Sequence, residues 1–100
     1  MEIKEIQKQS REIIDKIDSK YGKKHDVETT FIHLIEEIGE ISRQLYNSKI
    51  GRDKLDKENM SEEIADCIIL LSKLADSYNI DLEKAITNKI RQLNERFGVQ

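Results

Sequence analysis

The chain has 100 residues, of which 37% are apolar and 37% are charged, and its net charge is −3 at pH 7. This length suits one domain, residues 1–100, with a modest core. The negative charge argues against a nucleic-acid-binding protein, which is usually basic, and the single cysteine excludes an internal disulfide. With no proline and only four glycines, the composition favours long amphipathic helices over sheet. We therefore expect an all-α fold, a small helical bundle.

The apolar runs of the sequence bear on its compartment. The stretch "MEIKEIQK" contains acids and has no apolar h-region, so it does not predict a signal peptide. The longest apolar run, "CIILL", is far too short to span a bilayer. We expect a soluble, cytoplasmic protein without a membrane partner.

Apolar residues at helical spacing predict two helices in the first half of the chain. The first runs from about residue 2 to residue 21 and stops at Gly22. The second follows the "KKHD" linker, is capped by Asp26 and runs to about Tyr46. Residues 47–59 are polar and lack a convincing period, which predicts a loop.

The third helix is predicted to begin near residue 60 or 61, with Ser61 as a candidate N-cap, and to run to about Tyr78. Its apolar stripe is centred near Ile64 and includes Cys67. Because this cysteine lies among apolar residues, its predicted role is core packing.

Two pairs of acidic residues occupy matching positions on the second and third helices. At about 100° per residue, Glu37 and Glu40 lie to one side of an apolar stripe centred near Ile38. Glu63 and Asp66 have the same offsets on the third helix. If the two helices pack antiparallel, four carboxylates meet at their seam and repel one another. A divalent cation would neutralise them, and hard oxygen ligands suit Mg²⁺ or Mn²⁺. The same pairs also fit a solvated acidic surface.

Three residues of the second helix leave alternatives open. Gly39 destabilises a helix by about 1 kcal/mol relative to Ala, which fits either the close approach of another helix or an ordinary surface position. His33 precedes Glu37 by one turn, so it either orients a ligand carboxylate or is merely exposed. Phe31 starts the apolar stripe, where core packing is favoured over stacking against a base.

The fourth helix is predicted to be capped by Asp81 and to stop before Gly98. Lys89 lies inside its apolar stripe, where a lysine is usually structural because its long stem snorkels. Together with Asn94 and Arg96, however, it supplies the donors that clamp phosphate oxygens.

The acidic motifs resemble a known family. "EEIGE" at 36–40 followed by "EIAD" at 63–66 is similar to the E-E-x-x-E … E-x-x-D signature of the all-α nucleoside triphosphate pyrophosphohydrolases, the MazG-like superfamily. The resemblance continues through "EEIADCIILLSKLA", "IDLEKAI" and "NKIRQLNERFG", covers about residues 31–97, and leaves the first helix without a signature. It implies a four-helix MazG-like bundle completed by oligomerisation, as a homodimer or homotetramer. Ile69 supports this independently, since it lies off the main stripe and widens the apolar surface of its helix.

The resemblance also implies a site. The ligands of Mg²⁺ would be Glu37, Glu40, Glu63 and Asp66. The residues that bind the substrate phosphates would be Lys89, Asn94 and Arg96. Glu36 and Glu37 are the candidate catalytic residues, although helical position directs Glu36 away from the seam, so a second metal or a partner subunit would have to recruit it. The metal would polarise the phosphate chain and orient water, and the products would be a nucleoside monophosphate and pyrophosphate.

Alternatives remain at the level of substrate and of function. Relatives of this fold act on phosphoribosyl-ATP, dUTP or dCTP, and nothing in the sequence selects a base or sugar or tests a house-cleaning role. From another class comes a non-catalytic helical oligomerisation module, which should tolerate Glu37→Gln and Asp66→Asn. A di-iron protein is disfavoured because neither His25 nor His33 follows a glutamate at the required spacing of three residues.

Overall fold

A computed structural model describes residues 2–99, which form four α-helices joined by short connections. The helices are α1 (Ile3–Tyr21), α2 (Val27–Lys49), α3 (Lys57–Ser77) and α4 (Leu82–Phe97). No strand occurs between residues 2 and 99. The all-α prediction is confirmed.

Local hydrogen bonds explain why most helices begin and end where the sequence predicts. The Asp26 carboxylate accepts the backbone N–H of Thr29, whose hydroxyl accepts the backbone N–H of Asp26, and together they form a capping box. Asp81 accepts the third backbone N–H of α4 in the same way. Gly22 and Gly98 end α1 and α4 in the left-handed region, with φ of 63° and 62°, where glycine has no steric penalty.

The predicted boundaries of the 47–59 loop are wrong. α2 continues to Lys49, and α3 already begins at Lys57. The N-cap of α3 is Asp56 and not Ser61, and its carboxylate accepts two backbone N–H groups of the first turn. The added turns are polar, so no apolar stripe continues into them and periodicity alone does not reveal them.

α2 and α3 pack against each other in opposite directions. Leu34 and Leu70 belong to one core cluster, whereas Glu37, one turn further along α2, lies beside Asp66, one turn earlier on α3. The ends nearest the connecting loop also meet. This antiparallel register is what the argument for converging carboxylates requires.

α1 lies against α3, also antiparallel to it. Lys73 Nζ is 3.2 Å from Asp15 Oδ1, and Arg11 Nη1 is 3.0 Å from Asp76 Oδ1. At the far end, the buried Gln7 amide donates to a carbonyl in the turn before α4 at 2.7 Å and accepts the first N–H of α4 at 3.1 Å. These contacts fix the start of α4 to α1, and α4 packs mainly there.

The core is small. The buried apolar side chains are Ile14, Leu34, Cys67, Leu70 and Ala75, so the packing role predicted for Cys67 is confirmed. The predicted stripe centres are not in the core: Ile38 is 46% exposed and Ile64 is 48% exposed. At about 100° per residue, the buried residues of α2, Thr30 and Leu34, lie roughly 80° and 40° to one side of Ile38.

A second apolar surface, which we call the outer apolar face, explains this offset. Its side chains recur at intervals of three, four or seven residues and are between 44% and 61% exposed. They comprise Phe31, Ile35, Ile38 and Leu45 of α2 with Ile64, Ile68, Leu71 and Tyr78 of α3. The periodicity of the sequence combines the apolar residues of the inward and outward faces. The predicted stripe centre therefore lies between the two faces. Ile69 belongs to the inward side, since it packs against the core cluster, and it does not argue for a partner.

The chain is expanded for its size. Its radius of gyration is 16.3 Å, whereas a compact domain of this length has roughly 13 Å. Its accessible surface is 7996 Å², against roughly 5,900 Å² for a compact monomer of this mass. α4 contributes no buried residue. Between residues 2 and 99, no helix combines the length and the apolarity needed to cross a membrane.

Candidate metal centre

Three carboxylates converge between α2 and α3. Glu37, Glu63 and Asp66 each place an oxygen within 4.8 Å of an oxygen of the other two. Glu63 and Asp66 are one turn apart on the same face of α3, and the antiparallel register brings Glu37 opposite them. Glu37 and Glu63 are half-buried, and Asp66 is exposed, so the group is open on one side to an incoming ligand.

The carboxylates of this centre disturb one another electrostatically. The neighbouring Glu37 carboxylate raises the pKa of Glu63, and burial and the negative charge of Glu40 raise it further. The three carboxylates lie within 4.8 Å of one another, so their negative charges repel. A bound cation would relieve that repulsion.

The donor set fits a hard divalent cation. Glu63 Oε2 is buried and makes no hydrogen bond to any residue from 2 to 99, and a buried oxygen without a donor is unfavourable. Three carboxylates are ligands that Mg²⁺ and Mn²⁺ accept. Cys67 lies nearby, but burial and the charges of Glu37 and Asp66 raise the pKa of its thiol. It therefore stays protonated near neutral pH, and the centre is an oxygen site.

Two further predicted acids lie outside this group. Glu40 is close enough for its charge to act on Glu63, but its carboxylate pairs with the Arg43 guanidinium. Glu36 is exposed and is not one of the three converging acids. The structure thus brings together three of the four predicted metal ligands, and the fourth lies at the margin.

The predicted phosphate ligands on α4 are not brought to the carboxylates within one chain. Lys89 and Arg96 are exposed, and Asn94 is half-buried. No α4 residue lines the cavity beside the carboxylates. The start of α4 is held by Gln7, toward the other end of α1 from the residues that line this cavity. The Arg96 guanidinium instead lies over the Phe97 ring, 5.1 Å from its centroid.

A cavity of about 250 Å³ opens next to the carboxylates. Glu37 and Asp66 form one side of it, and Ile13 and Ile17 of α1, each nearly half exposed, form another. α1 has no recognisable sequence signature, so its part in this cavity is visible only in the structure.

A chain of four side chains leads from α1 to the carboxylates. Asp18 Oδ1 is 2.9 Å from His25 Nδ1, and His25 Nε2 is 3.2 Å from His33 Nδ1. His33 Nε2 is in turn 3.3 Å from Glu37 Oε1. The two imidazole rings stack, with centroids 5.4 Å apart. Of the two alternatives for His33, this geometry supports contact with a carboxylate of the converging group.

Asp18 is held at the buried end of that chain. Its Oδ2 also accepts the backbone N–H of His25 at 2.7 Å, and the residue is 8% exposed. Burial raises the pKa of Asp18, but the hydrogen bonds and the nearby charge of His25 outweigh it, so this pKa lies below its ordinary value. Sequence reasoning missed both residues, because their contact depends on the linker folding back onto α1.

The remaining alternatives on α2 are also decided in part. A Cβ at Gly39 would meet no atom within 4 Å, so no helix of the same chain approaches it closely. Phe31 is 51% exposed, and the predicted core-packing role is wrong for the isolated chain.

Comparison with known proteins identifies the family. Residues 25–97 match the family described as MazG nucleotide pyrophosphohydrolase domain. The chain is similar to the uncharacterized protein YvdC of Bacillus subtilis, at 34% identity over 73 residues, which cover 64% of this chain and 69% of YvdC. It is also similar to the uncharacterized protein YpjD of the same organism, at 36% identity over 66 residues; this match covers 63% of the chain and only 60% of YpjD. No solved structure gives a significant match. The family match spans well over half of the chain, which therefore belongs to the MazG nucleotide pyrophosphohydrolase family.

Proposed function

We propose that this member of the family is a Mg²⁺-dependent nucleoside triphosphate pyrophosphohydrolase, which converts an NTP or dNTP to the monophosphate and pyrophosphate. The observation that carries the proposal is the convergence of Glu37, Glu63 and Asp66 around the buried, unpartnered Glu63 Oε2. In a chain of this family, such an oxygen cluster has an evident use. Mn²⁺ would serve in the same place.

The proposed ligands are the three converging acids together with Glu40. To bind the metal, the Glu40 carboxylate would have to give up its ion pair with Arg43. A bound Mg²⁺ supplies Lewis-acid polarisation of the phosphate and lowers the pKa of coordinated water. Glu37, which faces both the cavity and the cluster, is the candidate to orient that water. The exposed Glu36 is assigned to a second metal or to a partner subunit.

One Mg²⁺ leaves the cluster anionic. The four proposed carboxylate ligands contribute −4 and the ion +2, so the sum is −2. A triphosphate approaching this charge needs further positive groups. The proposed groups are Lys89 and Arg96, with Asn94 as an amide donor. A partner chain would have to supply them, because no α4 residue of the same chain lines the cavity beside the carboxylates.

Oligomerisation is therefore part of the proposal. The chain exposes roughly 2,000 Å² more surface than a compact monomer of its mass. Of the 21 large apolar side chains exposed between residues 2 and 99, eight belong to the outer apolar face. Obligate homodimers bury about 2,000–5,000 Å² in total. A homodimer formed through this face, or a tetramer built from two such dimers, would provide the missing burial.

We also place the protein in the cytoplasm. The single cysteine is free, which suits a reducing compartment.

A non-catalytic oligomerisation module is the second candidate, and the exposed outer apolar face favours it. This module predicts the opposite outcome when the acids are replaced, because it gains nothing from a cluster of repelling charges. Glu37→Gln and Asp66→Asn should then leave its assembly and stability intact.

The deciding experiment is product analysis. The purified chain is incubated with Mg²⁺ and a panel of ribo- and deoxynucleoside triphosphates that includes dUTP and dCTP, and with phosphoribosyl-ATP in a separate reaction. Pyrophosphate and orthophosphate are then separated. We expect pyrophosphate and a monophosphate from at least one substrate. Orthophosphate alone would contradict the proposed reaction, and no turnover by a protein that still assembles would favour the module.

Metal binding provides an independent check. A ligand that binds only the folded state raises stability by RT ln(1 + [L]/Kd), about 2.7 kcal/mol at a hundred-fold excess over Kd. We expect millimolar Mg²⁺ or Mn²⁺ to raise the melting temperature of the wild-type protein. The same addition should not change that of Glu63→Gln.

A further inference from the structure

We infer that Asp18, His25 and His33 are positioning residues that hold the Glu37 carboxylate in the orientation needed for metal binding. We call these three the histidine chain. The inference deepens the proposed function and rests on it only in taking Glu37 as a metal ligand. Two of its members, Asp18 and His25, have no role in any motif of the sequence.

The geometry of the histidine chain is continuous. Three successive contacts of 2.9, 3.2 and 3.3 Å connect Asp18 to Glu37 Oε1. Because one oxygen of Glu37 is occupied by His33, the carboxylate cannot rotate freely about its last torsion. Such outer partners orient a ligand and raise its affinity for the metal.

The Asp18 end of the histidine chain is rigidly held. Asp18 is buried on α1, and its two oxygens receive the ring and the backbone N–H of His25. His25 directly precedes Asp26, the N-cap of α2. The start of α2 and the orientation of the His25 ring are therefore fixed by one carboxylate, and stacking holds His33 against that ring.

The arrangement also gives α1 a function. The family match begins at residue 25, so Asp18 lies outside it, yet Asp18 anchors a line of contacts that ends at the proposed metal ligand Glu37. The first helix is then more than a cover for the core, because it determines how one metal ligand is presented.

The test uses two substitutions of His33 that differ in which ring nitrogen they replace. The amide nitrogen of glutamine reaches about as far as Nε2 and retains a donor for Glu37, whereas that of asparagine reaches about as far as Nδ1 and does not. We expect His33→Asn to weaken Mn²⁺ binding about ten-fold and His33→Gln to retain most of the affinity. Titration calorimetry or the electron paramagnetic resonance of free Mn²⁺ measures this without any substrate.

A second pair of variants tests the anchor. Asp18→Asn should weaken Mn²⁺ binding several-fold, because the charged acceptor for the His25 ring is lost. Asp15→Asn, one turn away on the same helix, removes an exposed partner of Lys73 and should leave Mn²⁺ binding unchanged. Circular dichroism confirms that each variant is folded, and the His33 pair decides the matter if Asp18→Asn does not fold.

The outcomes separate this inference from the proposed function. Equal Mn²⁺ affinity in His33→Asn, His33→Gln and the wild type overturns the inference, whether or not the protein hydrolyses nucleotides. Weaker binding in His33→Asn alone supports it, even if no nucleotide is hydrolysed. In an active enzyme, a positioning role further requires that raising the Mg²⁺ concentration restores much of the kcat of His33→Asn, since the ligand itself is still present.

Discussion

The two faces of the α2–α3 pair differ in what a single chain completes. On the inward face, Glu37, Glu63 and Asp66 already meet, above a small core. On the outward face, eight apolar side chains remain between 44% and 61% exposed, and the predicted phosphate ligands on α4 reach no part of the carboxylate centre. A short helical hairpin thus brings three carboxylates together by itself, whereas the proposed function takes its phosphate-binding residues from a second chain.

The largest effect should come from breaking the inward face. We expect Glu63→Gln to reduce pyrophosphate release about 100-fold or more, because it removes a proposed metal ligand and with it several kcal/mol of transition-state stabilisation. Glu62→Gln is the matched control, since Glu62 is the neighbouring, exposed acid on α3. It should retain wild-type activity.

The same substitution should not unfold the protein. Without metal, replacing Glu63 removes one member of a repelling group, so the melting temperature in EDTA should be equal to or above that of the wild type. A large loss of stability in EDTA would show that Glu63 serves the fold and would remove the central support for a metal centre.

The second prediction concerns the α4 residues. Arg96→Ala should reduce kcat/KM about ten-fold, the loss of about one charged hydrogen bond. If Arg96 acts on a partner's carboxylates, mixing Arg96→Ala chains with Glu63→Gln chains restores activity. One site of each hybrid dimer then has intact acids and an intact arginine, and random exchange in a two-fold dimer yields roughly a quarter of wild-type activity.

Mixing also distinguishes the alternatives. If α4 acts on its own chain, no hybrid contains an intact site, and the mixture shows only the average of the two variants. That outcome would mean that the α4 residues complete the site of their own chain. Lys84→Ala, at an exposed position in the first turn of α4, is a control for a general loss of basic charge.

The third prediction tests the outer apolar face directly. Ile68→Asp should dissociate the proposed oligomer, because a charge at a desolvated interface is strongly unfavourable. At a position that remains exposed, the same change has an effect within about 0.5 kcal/mol. Ile32 is 57% exposed and lies off this face, so Ile32→Asp is the control. Sedimentation measures both, and an unchanged mass for Ile68→Asp would exclude this face as the interface.

The sequence predicted the parts of the fold that depend on neighbouring residues. The caps at Asp26 and Asp81 and the glycine ends of α1 and α4 need only local hydrogen bonds and backbone freedom. The carboxylate pairs were found because helical spacing places residues 63 and 66 on one face. If α2 and α3 pack antiparallel, the two pairs meet at the seam between the helices, and this could be predicted from the sequence.

What the sequence did not predict depends on how distant segments meet. The stripe centres at Ile38 and Ile64 are wrong because one pattern of apolar residues serves two faces, and periodicity cannot separate them. The contact of His25 with Asp18 requires the linker to return to α1. No local pattern marks that return, and the resemblance gave α1 no role.

The fourth prediction concerns how the stability provided by Asp18 depends on pH, and we expect a moderate effect. The pKa of Asp18 is lowered in the folded chain, so Asp18 stabilises the fold fully above its unfolded pKa of about 3.9. This stability is lost as the pH falls through the lower, folded pKa. Asp18→Asn should therefore be less stable than the wild type at pH 7 by about 1–2 kcal/mol, with the difference shrinking below about pH 4. Urea unfolding across this range measures it, and a difference independent of pH would refute the role of the charge.

The smallest effect, at Gly39, indicates to which face this residue belongs. In one chain a Cβ there meets no atom within 4 Å, and replacing an exposed helical glycine by alanine stabilises a helix by about 0.5–1 kcal/mol. Gly39→Ala should therefore raise the melting temperature if Gly39 remains exposed in the oligomer. If another chain approaches the α2 backbone at this point, the added methyl group weakens assembly instead, and the loss becomes larger as the protein is diluted. The concentration dependence, more than the sign at one concentration, separates an ordinary surface glycine from one that lies under a partner helix.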